Sequence, residues 1–474
     1  MRKKDITLIT NPFSLTKRHW VLSIKNENQI YMDKPIPEVP NWRVLMNLPV
    51  IFKNPLVFHS AIYKDLGDSF IVNSLNGEDL ILTRSSRMIQ HVLQKNHKNY
   101  QKSKFQTVDL AKYVGYGLLT TNGEHWLIHR RMIQPGFGRK KLQGLLTIIR
   151  GAVESEVERI DVEKTVDVLP LMSDLAFQTV AKGLFSAGDI RARMASLQKI
   201  TDTAQKMLIK EVRQPYLRWW FRLSGSLQRH INMGDKARYI VNELVAERKS
   251  SGTQEDDLLD MLLAARYEDG EPMSNRQLID EVMILFTAGH ETTANALSFT
   301  LFHIAKDQAI QQRIFDEVCR FDFGDENLPN VFKDLTFTRQ CIEEAMRLYP
   351  PAYLVDRVAI SDDEVDGQKI PSGTMVLLSL FELHRDTQFW KDSSVFDPNR
   401  FSPDQKSKRI GRYFPFGAGP RMCVGNHFAM FEMIIAIATI VKSFTMKCDL
   451  DQIELVPLVS LKPKEVPIKF EKRY

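Results

Sequence analysis

The most diagnostic segment of this sequence is Phe414-Pro-Phe-Gly-Ala-Gly-Pro-Arg-Met-Cys-Val-Gly425. Three glycines and two prolines surround a single cysteine, Cys423, and an apolar helical pattern begins directly after the segment. A helix N-terminus, neighbouring backbone N–H groups and the charge of Arg421 all stabilise a thiolate. The segment therefore predicts a rigid loop that lowers the pKa of the Cys423 thiol. The alternative is an inert core residue, which is the commoner role of an isolated cysteine.

This segment resembles the haem-ligand motif of the cytochrome P450 superfamily at every defined position: Phe416-x-x-Gly419-x-Arg421-x-Cys423-x-Gly425. Four further segments resemble other motifs of that family, in the family's order: Trp126-x-x-x-Arg130, Ala288-Gly-x-Glu291-Thr-Thr293, Glu344-x-x-Arg347 and Phe396-Asp-Pro-Asn-Arg-Phe401. Asn399 stands where the family often has Glu, but Arg400 is present. The resemblance spans roughly Asp68 to the C-terminus. It implies a soluble, bacterial-type haem-thiolate monooxygenase.

The resemblance also implies the cofactor and its ligands. Haem b (iron protoporphyrin IX) would be held by Cys423 as the axial thiolate, which favours O–O cleavage, with Phe416 packed beside the sulfur. The resemblance assigns the haem propionates to Trp126, Arg130, Arg357 and Arg421. For Arg357 a surface salt bridge stays an alternative, because its motif is loose. Ala288 stands where a related clan that esterifies its haem has Glu, so no covalent haem link is expected.

A long central helix is predicted from the capping box Ser274-Asn-Arg-Gln277 to about Ala305. Its apolar middle contains Ala288-Gly-His-Glu-Thr-Thr293, and buried polar groups there are costly. One interpretation is a satisfied polar belt between packed helices. The other is that Ala288 and Gly289 leave room for a flat ligand. The resemblance implies that Thr292 and Glu291 are catalytic residues that handle protons in an oxygen- and electron-dependent monooxygenase.

Glu344 and Arg347 lie three residues apart on a predicted helix and can form an ion pair. The resemblance implies that Arg400 completes a buried triad with them. We interpret this triad as structural, because it would hold the scaffold of the cysteine loop rather than touch substrate.

The composition is that of a globular protein. Of 474 residues, 43% are hydrophobic and 26% charged, which excludes collagen-like and wholly disordered chains. A net charge of +6 is mild for this length, so no nucleic-acid partner is predicted. The four cysteines form no C-x-x-C unit, which argues against a disulfide scaffold or a zinc ribbon. No apolar stretch is long enough to span a bilayer. We therefore expect a cytoplasmic protein.

Periodicity predicts a mainly α (α+β) architecture in one domain, residues 1–474. Strands are predicted at about 68–85, with an Asn76-Gly77 hairpin turn, and at 355–380. Helices are predicted at about 85–322 and 423–442. The resemblance implies one large helical P450 domain with small β-sheets near the N- and C-terminal ends. Only 51 residues follow Cys423, so no reductase domain is expected.

Electrons would then come from an external donor, a ferredoxin or a flavodoxin with its reductase. Basic residues that precede the cysteine loop or follow Trp126 would form a docking face for an acidic donor. The alternative for each of them is ordinary solvated charge. The residues are Lys406, Lys408, Arg409, Arg412, Arg130, Arg131, Arg139, Lys140 and Lys141.

By resemblance, the substrate pocket is lined by Phe105, Ala352, Tyr353, Val355 and Leu458. These mostly apolar residues predict a small lipophilic substrate, a fatty acid or a terpenoid-like compound. An aromatic stretch, residues 216–221, falls at the position of the family's entrance lid. Trp219 and Trp220 in it either contact a membrane or belong to the core. We expect a monomer.

The sequence departs from the motifs of three other functional classes. Met422 occupies the third glycine position of a dinucleotide fingerprint, and Ala294 stands where a zinc protease needs its second histidine. Asp322-Phe-Gly324 precedes His384-Arg-Asp386, which reverses the order of protein-kinase motifs. The alternative that stays open is a haem-thiolate protein without hydroxylase activity, namely a gas or redox sensor or an isomerase.

Overall fold

Helices form most of the chain, and short strands collect near its two ends. The computed structural model describes residues 35–73, 79–162, 164–186 and 191–473. The α-helices of these residues are α1 (Asn41–Met46), α2 (Leu48–Lys53), α3 (Pro55–Leu66), α4 (Ser86–Gln90), α5 (Ala111–Val114), α6 (Gly123–Ile133), α7 (Arg139–Val157), α8 (Val168–Phe185), α9 (Arg191–Arg213), α10 (Arg218–Leu223), α11 (Ser226–Ser251), α12 (Leu258–Ala264), α13 (Asn275–Lys306), α14 (Gln308–Cys319), α15 (Val331–Asp334), α16 (Thr336–Leu348), α17 (Leu380–Leu383), α18 (Lys406–Arg409) and α19 (Asn426–Ser443).

The strands form four small sheets. They are β1 (Ser69–Asn73), β2 (Asp79–Thr83), β3 (Tyr100–Gln101), β4 (Thr165–Asp167), β5 (Leu354–Ala359), β6 (Asp363–Val365), β7 (Gln368–Ile370), β8 (Met375–Ser379), β9 (Phe444–Lys447), β10 (Leu455–Pro457), β11 (Leu461–Pro463) and β12 (Pro467–Lys472). The largest sheet has the order β1-β2-β8-β5-β3, and the others are β4-β12-β9, β10-β11 and β6-β7. The mainly α fold with strands near both ends is therefore as predicted.

The predicted hairpin joins the first two strands of the largest sheet. β1 and β2 pair antiparallel, with Ser69 opposite Thr83 and Asn73 opposite Asp79. The Asn76-Gly77 turn itself lies outside the described residues. β2 then pairs parallel with β8, which brings residues 80–83 beside residues 375–378.

The central helix α13 begins where the capping box predicts. Ser274 Oγ accepts a hydrogen bond from the backbone N–H of Gln277 at 3.2 Å. The helix runs for 32 residues, so it is about 48 Å long. Gly289 was expected to leave room for a flat ligand, and this expectation is wrong. A Cβ at this position would lie 3.1 Å from Val180 Cγ2, so the glycine faces α8. The glycine instead allows α8 to pack closely against α13.

The main core lies between α7, α8, α13 and α19, whose apolar side chains form one continuous buried cluster. α19 contributes buried residues along its whole length, from Phe428 to Val441. Because α19 follows Cys423 directly, this packing fixes the end of the cysteine loop to the most buried part of the protein. Among the described residues, no helix combines the length and the apolar character needed to cross a membrane.

Three short helices, by contrast, lie on the surface: α1, α2 and α10 contain no buried residue. Trp219 and Trp220 of α10 are 59% and 53% exposed, which excludes the alternative that they belong to the core. The two surface regions meet, since the rings of Phe52 and Tyr216 lie 6.3 Å apart between centroids.

Candidate active site

The loop before α19 is held rigid by its own backbone. Cys423 N donates to Phe416 O at 2.9 Å, and Met422 N donates to Gly419 O at 3.0 Å. Gly419 has φ +69°, and a Cβ on it would lie 1.9 Å from the carbonyl oxygen of Leu93. Only glycine fits there, because the position needs a left-handed backbone conformation and has no room for a side chain.

The Cys423 side chain keeps accessible surface although α19 behind it is buried. Surrounding protein atoms still displace bulk water, and this desolvation raises the pKa of the Cys423 thiol, against the opposing effects of the Gly425 N–H and the Arg130 charge. The direction of the pKa shift is therefore opposite to the one expected from the sequence, because desolvation outweighs the favourable dipoles. A coordinated metal ion deprotonates its thiol ligand outright.

Positive side chains gather beside this loop. The Arg421 guanidinium lies over the Trp126 ring, 4.3 Å from its centroid, and its Nη1 is buried with no hydrogen-bond partner among the described residues. Burial, and then the charge of Arg357, lower the pKa of Arg421 to about 10. Arg357 is only 7% exposed, which excludes its alternative role in a surface salt bridge. Arg130 Nη1 donates to the carbonyl of Met422 at 2.8 Å, which joins α6 to the loop.

Lys102 completes this group of cations, and sequence reasoning missed it. Its Nζ donates to the carbonyls of Leu118 and Leu119 at 2.7 and 2.8 Å. Burial is the main effect that lowers the pKa of Lys102 to about 6, followed by the charges of Arg421 and Arg357. No local motif marks this lysine, since the loop before α6 brings it to the site. Cations with an unpaired buried N–H, beside an accessible cysteine, fit a ligand that carries carboxylates.

The polar middle of α13 presents one accessible face. Ala288 is exposed and Glu291 and Thr292 are half-buried, whereas Thr293 is buried. Thr292 Oγ1 donates to the carbonyl of Ala288 at 3.0 Å, so its lone pairs stay available to accept a hydrogen bond. The alternative of a satisfied polar belt between packed helices does not fit this face, because its side chains keep accessible surface. Among the described residues, the hydrogen bonds of Thr292 stay within α13 and do not join it to the cysteine loop.

Glu344, Arg347 and Arg400 lie together at the end of α16. Arg347 donates to both carboxylate oxygens of Glu344, at 2.6 and 2.7 Å, and both side chains are fully buried. Arg400 Nε lies 3.4 Å from Glu344 Oε1. The remaining Arg347 N–H groups donate to the carbonyls of His384, Ser393 and Val395. The cluster therefore holds together the segment that leads into the cysteine loop.

Four of the residues expected to line a substrate pocket retain accessible surface: Phe105, Ala352, Val355 and Leu458. Tyr353 differs, since it is 7% exposed and packs in a core cluster with Leu56 and Phe381. Its hydroxyl donates to the carbonyl of Leu458 at 2.8 Å. The expectation that its ring lines the pocket is therefore corrected: Tyr353 supports the β10–β11 turn from behind.

The chain is similar to several known proteins. The sequence model described as "Cytochrome P450" matches residues 36–470. A pentalenene oxygenase of Streptomyces avermitilis is 27% identical over 88% of this chain and 91% of the relative. A cyclooctat-9-en-7-ol 5-monooxygenase of Streptomyces melanosporofaciens is 29% identical, over 70% and 73%. A human ultra-long-chain fatty acid omega-hydroxylase is 29% identical, over 72% and 69%.

Solved structures share the fold at lower identity. The cytochrome P450DA heme domain superposes with a TM-score of 0.80 at 22% identity, covering 93% of this chain and 98% of that chain. The retinoic acid-bound cyanobacterial CYP120A1 superposes with a TM-score of 0.78 at 24% identity, covering 93% and 100%.

Proposed function

Because this chain belongs to the cytochrome P450 family, we propose that Cys423 is the axial thiolate ligand of its haem. The chain is a haem-thiolate monooxygenase, an oxidoreductase that incorporates oxygen from O2 into an organic substrate. When bound, the haem supplies the chemistry that cleaves O2 and oxidises the substrate. The observation that carries the site proposal concerns Arg421, two positions before the accessible Cys423: its Nη1 is buried and has no hydrogen-bond partner in the part of the chain that the structure describes.

The haem propionates are assigned to the cations around Trp126. Among the residues that the structure describes, the buried Nη1 of Arg421 has no hydrogen-bond partner. The charge of Arg357 lowers the pKa of Arg421, and the charge of Arg421 lowers the pKa of Lys102, so the three side chains lie close together. Carboxylates placed among these groups would satisfy the donor and relieve their mutual repulsion. Arg130 binds the Met422 carbonyl, so its role here is to fix α6 against the loop as well as to add charge. Phe416 is assigned to packing beside the sulfur, and its backbone carbonyl accepts the Cys423 N–H.

Thr292 and Glu291 are assigned to proton delivery. The Thr292 hydroxyl is anchored to the Ala288 carbonyl, which orients its oxygen towards the accessible face of α13. Glu291 is the next residue towards the N-terminus and is half-buried, so its carboxylate can exchange protons with water and pass them inward. Ala288 has no side chain beyond Cβ, which leaves this face open for the cofactor and substrate.

A lipophilic substrate fits the pocket walls. The accessible residues there are apolar, so burial of an apolar compound supplies the binding energy. The named activities of the relatives fall into two chemical classes, terpenoid oxidation and fatty-acid hydroxylation. A fatty acid or a terpenoid-like compound, hydroxylated at a C–H bond, is therefore the proposed substrate.

The electron donor is proposed to be an acidic ferredoxin or flavodoxin. Its docking surface is the basic set Arg130, Arg131, Lys140, Lys406 and Lys408, all of which are half-buried or exposed. Arg131 also lies 3.4 Å from the exposed Glu268, and three other basic residues have partners of their own: Lys141 pairs with Asp256, and Arg409 and Arg412 lie over aromatic rings. The rate of reduction by such a donor should fall as the salt concentration rises. At low salt, the double variant Lys406→Glu/Lys408→Glu should be reduced more slowly than the wild type. Lys164→Glu, far along the chain and exposed, should behave like the wild type; a salt-independent rate would refute this docking surface.

A membrane surface is proposed as a further partner. Trp219, Trp220 and Leu223 on α10 and Trp42 and Met46 on α1 are each more than half exposed. Arg218 and Arg222 flank the tryptophans, which suits an anionic lipid surface. Trp219→Gln/Trp220→Gln should reduce co-sedimentation with anionic vesicles, whereas Val395→Gln, another exposed apolar site, should not. Equal binding by all three proteins would contradict this contact.

The monooxygenase assignment is tested by isotope labelling. The holoprotein is supplied with ¹⁸O2, a ferredoxin with its reductase, and either a long-chain fatty acid or a cyclic terpene. One ¹⁸O atom should appear in the product of at least one substrate, only when both O2 and electrons are supplied. Product made without O2 or without electrons would contradict the assignment.

A further inference from the structure

The turn of residues 115–120 binds the side chain of Lys102. The carbonyls of Leu118 and Leu119 in this turn accept hydrogen bonds from Lys102 Nζ at 2.7 and 2.8 Å. The turn is closed by Thr120, whose Oγ1 donates to the carbonyl of Gly115 at 2.7 Å. Anything that fixes this turn therefore fixes the ammonium group that the proposed propionate site uses.

Two consecutive carboxylates of α13 accept hydrogen bonds from the backbone of this turn. Asp280 Oδ2 accepts the N–H of Tyr116 and Glu281 Oε2 accepts the N–H of Leu118, both at 3.0 Å. A Cβ on Gly115 would lie 2.2 Å from Asp280 Oδ1, and one on Gly117 would lie 2.6 Å from the Glu281 carboxylate. The two glycines therefore expose the backbone to the two carboxylates.

Glu281 is also bound to the helix that carries Trp126. It is fully buried, and its Oε1 lies 2.9 Å from His129 Nδ1 on α6. Gln277 Nε2 donates to the same Oε1 at 3.1 Å and to the Tyr116 carbonyl at 2.8 Å. One buried carboxylate thus links α13, α6 and the turn that holds Lys102. A charged hydrogen bond in a buried position is among the stronger polar contacts in a protein.

We propose that Glu281 is a positioning residue for the haem site: it orders the turn of residues 115–120, and through that turn it places Lys102 against the propionates. This inference rests on the proposed role of Lys102. Glu281 itself touches neither cofactor nor substrate in this account. It acts through the N–H of Leu118, and the carbonyl of the same residue holds the lysine.

A double-mutant cycle on the holoprotein tests this coupling. The rate of haem transfer to excess apomyoglobin is measured for the wild type, Glu281→Gln, Lys102→Met and the double variant. Glu281→Gln should speed haem loss about tenfold, the loss expected for one charged hydrogen bond. The double variant should lose haem no faster than Lys102→Met, because the carboxylate acts through the lysine.

The control is Asp257→Asn, which breaks another buried ion pair, with Arg248, away from the turn. It should lower the thermal stability of the haem-free protein without speeding haem loss. If Glu281→Gln does not fold, Gly117→Ala replaces it, since the added Cβ displaces the same carboxylate. If the factors by which Glu281→Gln and Lys102→Met each speed haem loss multiply in the double variant, the proposed role of Glu281 is overturned. If Lys102→Met does not change the rate of haem loss, the proposed role of Lys102 is overturned instead. The proposed roles of Arg421 and Trp126 do not depend on that result.

Discussion

Lys102 and Arg421 are basic side chains in positions where burial opposes their positive charge. Lys102 is 7% exposed, and the pKa values of the two side chains are lowered to about 6 and about 10, in each case first by burial. Negative groups placed beside them would reverse these shifts. The site is therefore electrostatically prepared for an anionic ligand, at the level of single side chains.

Haem binding should take up a proton through Lys102. With a pKa near 6, the Lys102 amine is mostly neutral at about pH 8 in the haem-free protein. Propionate carboxylates favour the ammonium form and raise this pKa, so haem affinity should fall as pH rises above about 6. Calorimetry in two buffers of different ionisation enthalpy measures the uptake. Lys102→Met should abolish it; equal uptake by both proteins would contradict the assignment.

Thr292→Ala should uncouple electron consumption from product formation. Without the hydroxyl, protons reach the site less well, and positioned proton transfer contributes a hundredfold or more in many enzymes. Product per electron should fall at least about tenfold while electron consumption continues. Thr293→Ala is the matched control, because Thr293 makes the same bond to a helix carbonyl, at 2.9 Å, but is buried. Unchanged coupling in Thr292→Ala would remove this residue from the mechanism.

The helix α13 shows how far a local pattern can predict an element. The capping box placed its start correctly at Ser274, and its end at Lys306 is one residue from the expected position. The Gln277 side chain could not be predicted, because it contacts Tyr116, distant in sequence. Gly289 was misinterpreted for the same reason, since its partner Val180 lies on α8. Periodicity and caps report on local geometry, whereas side-chain partners depend on tertiary packing.

The cysteine loop allows a matched test of its glycines. Gly417 and Gly419 have φ +71° and +69°, but only Gly419 faces a backbone carbonyl, that of Leu93. Gly417→Ala should cost about 1–2 kcal/mol, the strain of a left-handed residue. Gly419→Ala adds a clash with the backbone and should lower the free energy of unfolding further and reduce haem content. Denaturant unfolding and haem content measure both; equal effects of the two changes would show that the contact with Leu93 is unimportant.

The triad connects distant parts of the whole molecule. Glu344 accepts hydrogen bonds from Arg347 and from the backbone N–H of Asp397, and Arg400 Nε lies 3.4 Å from Glu344 Oε1. The helix α16 and the segment before the cysteine loop therefore share one carboxylate. Removing its charge leaves buried cations without a partner, which typically costs about 3–5 kcal/mol. Glu344→Gln should therefore lower the free energy of unfolding by about that amount in denaturant titration. Asp161→Asn, in an exposed pair with Lys164, should change it little; similar losses in both would contradict the triad's role.

Across the chain, the features that could be predicted from the sequence are those formed by residues close together in it. The cysteine loop, the Glu344–Arg347 pair and the polar middle of α13 each occupy a few consecutive residues, so their spacing reveals them. Lys102 and Glu281 could not be identified, because they meet only through the turn of residues 115–120. The direction of the Cys423 pKa was also beyond the sequence, since it depends on how many protein atoms surround the sulfur.

The most direct test of the thiolate ligand is the optical spectrum of the reduced holoprotein with carbon monoxide, beside Cys423→Ser. The wild type should show the strongly red-shifted Soret band of a thiolate-ligated haem, and the variant should bind haem without showing that band. A folded, haem-loaded wild type that lacks the band, or a variant that retains it, would contradict the assignment of Cys423.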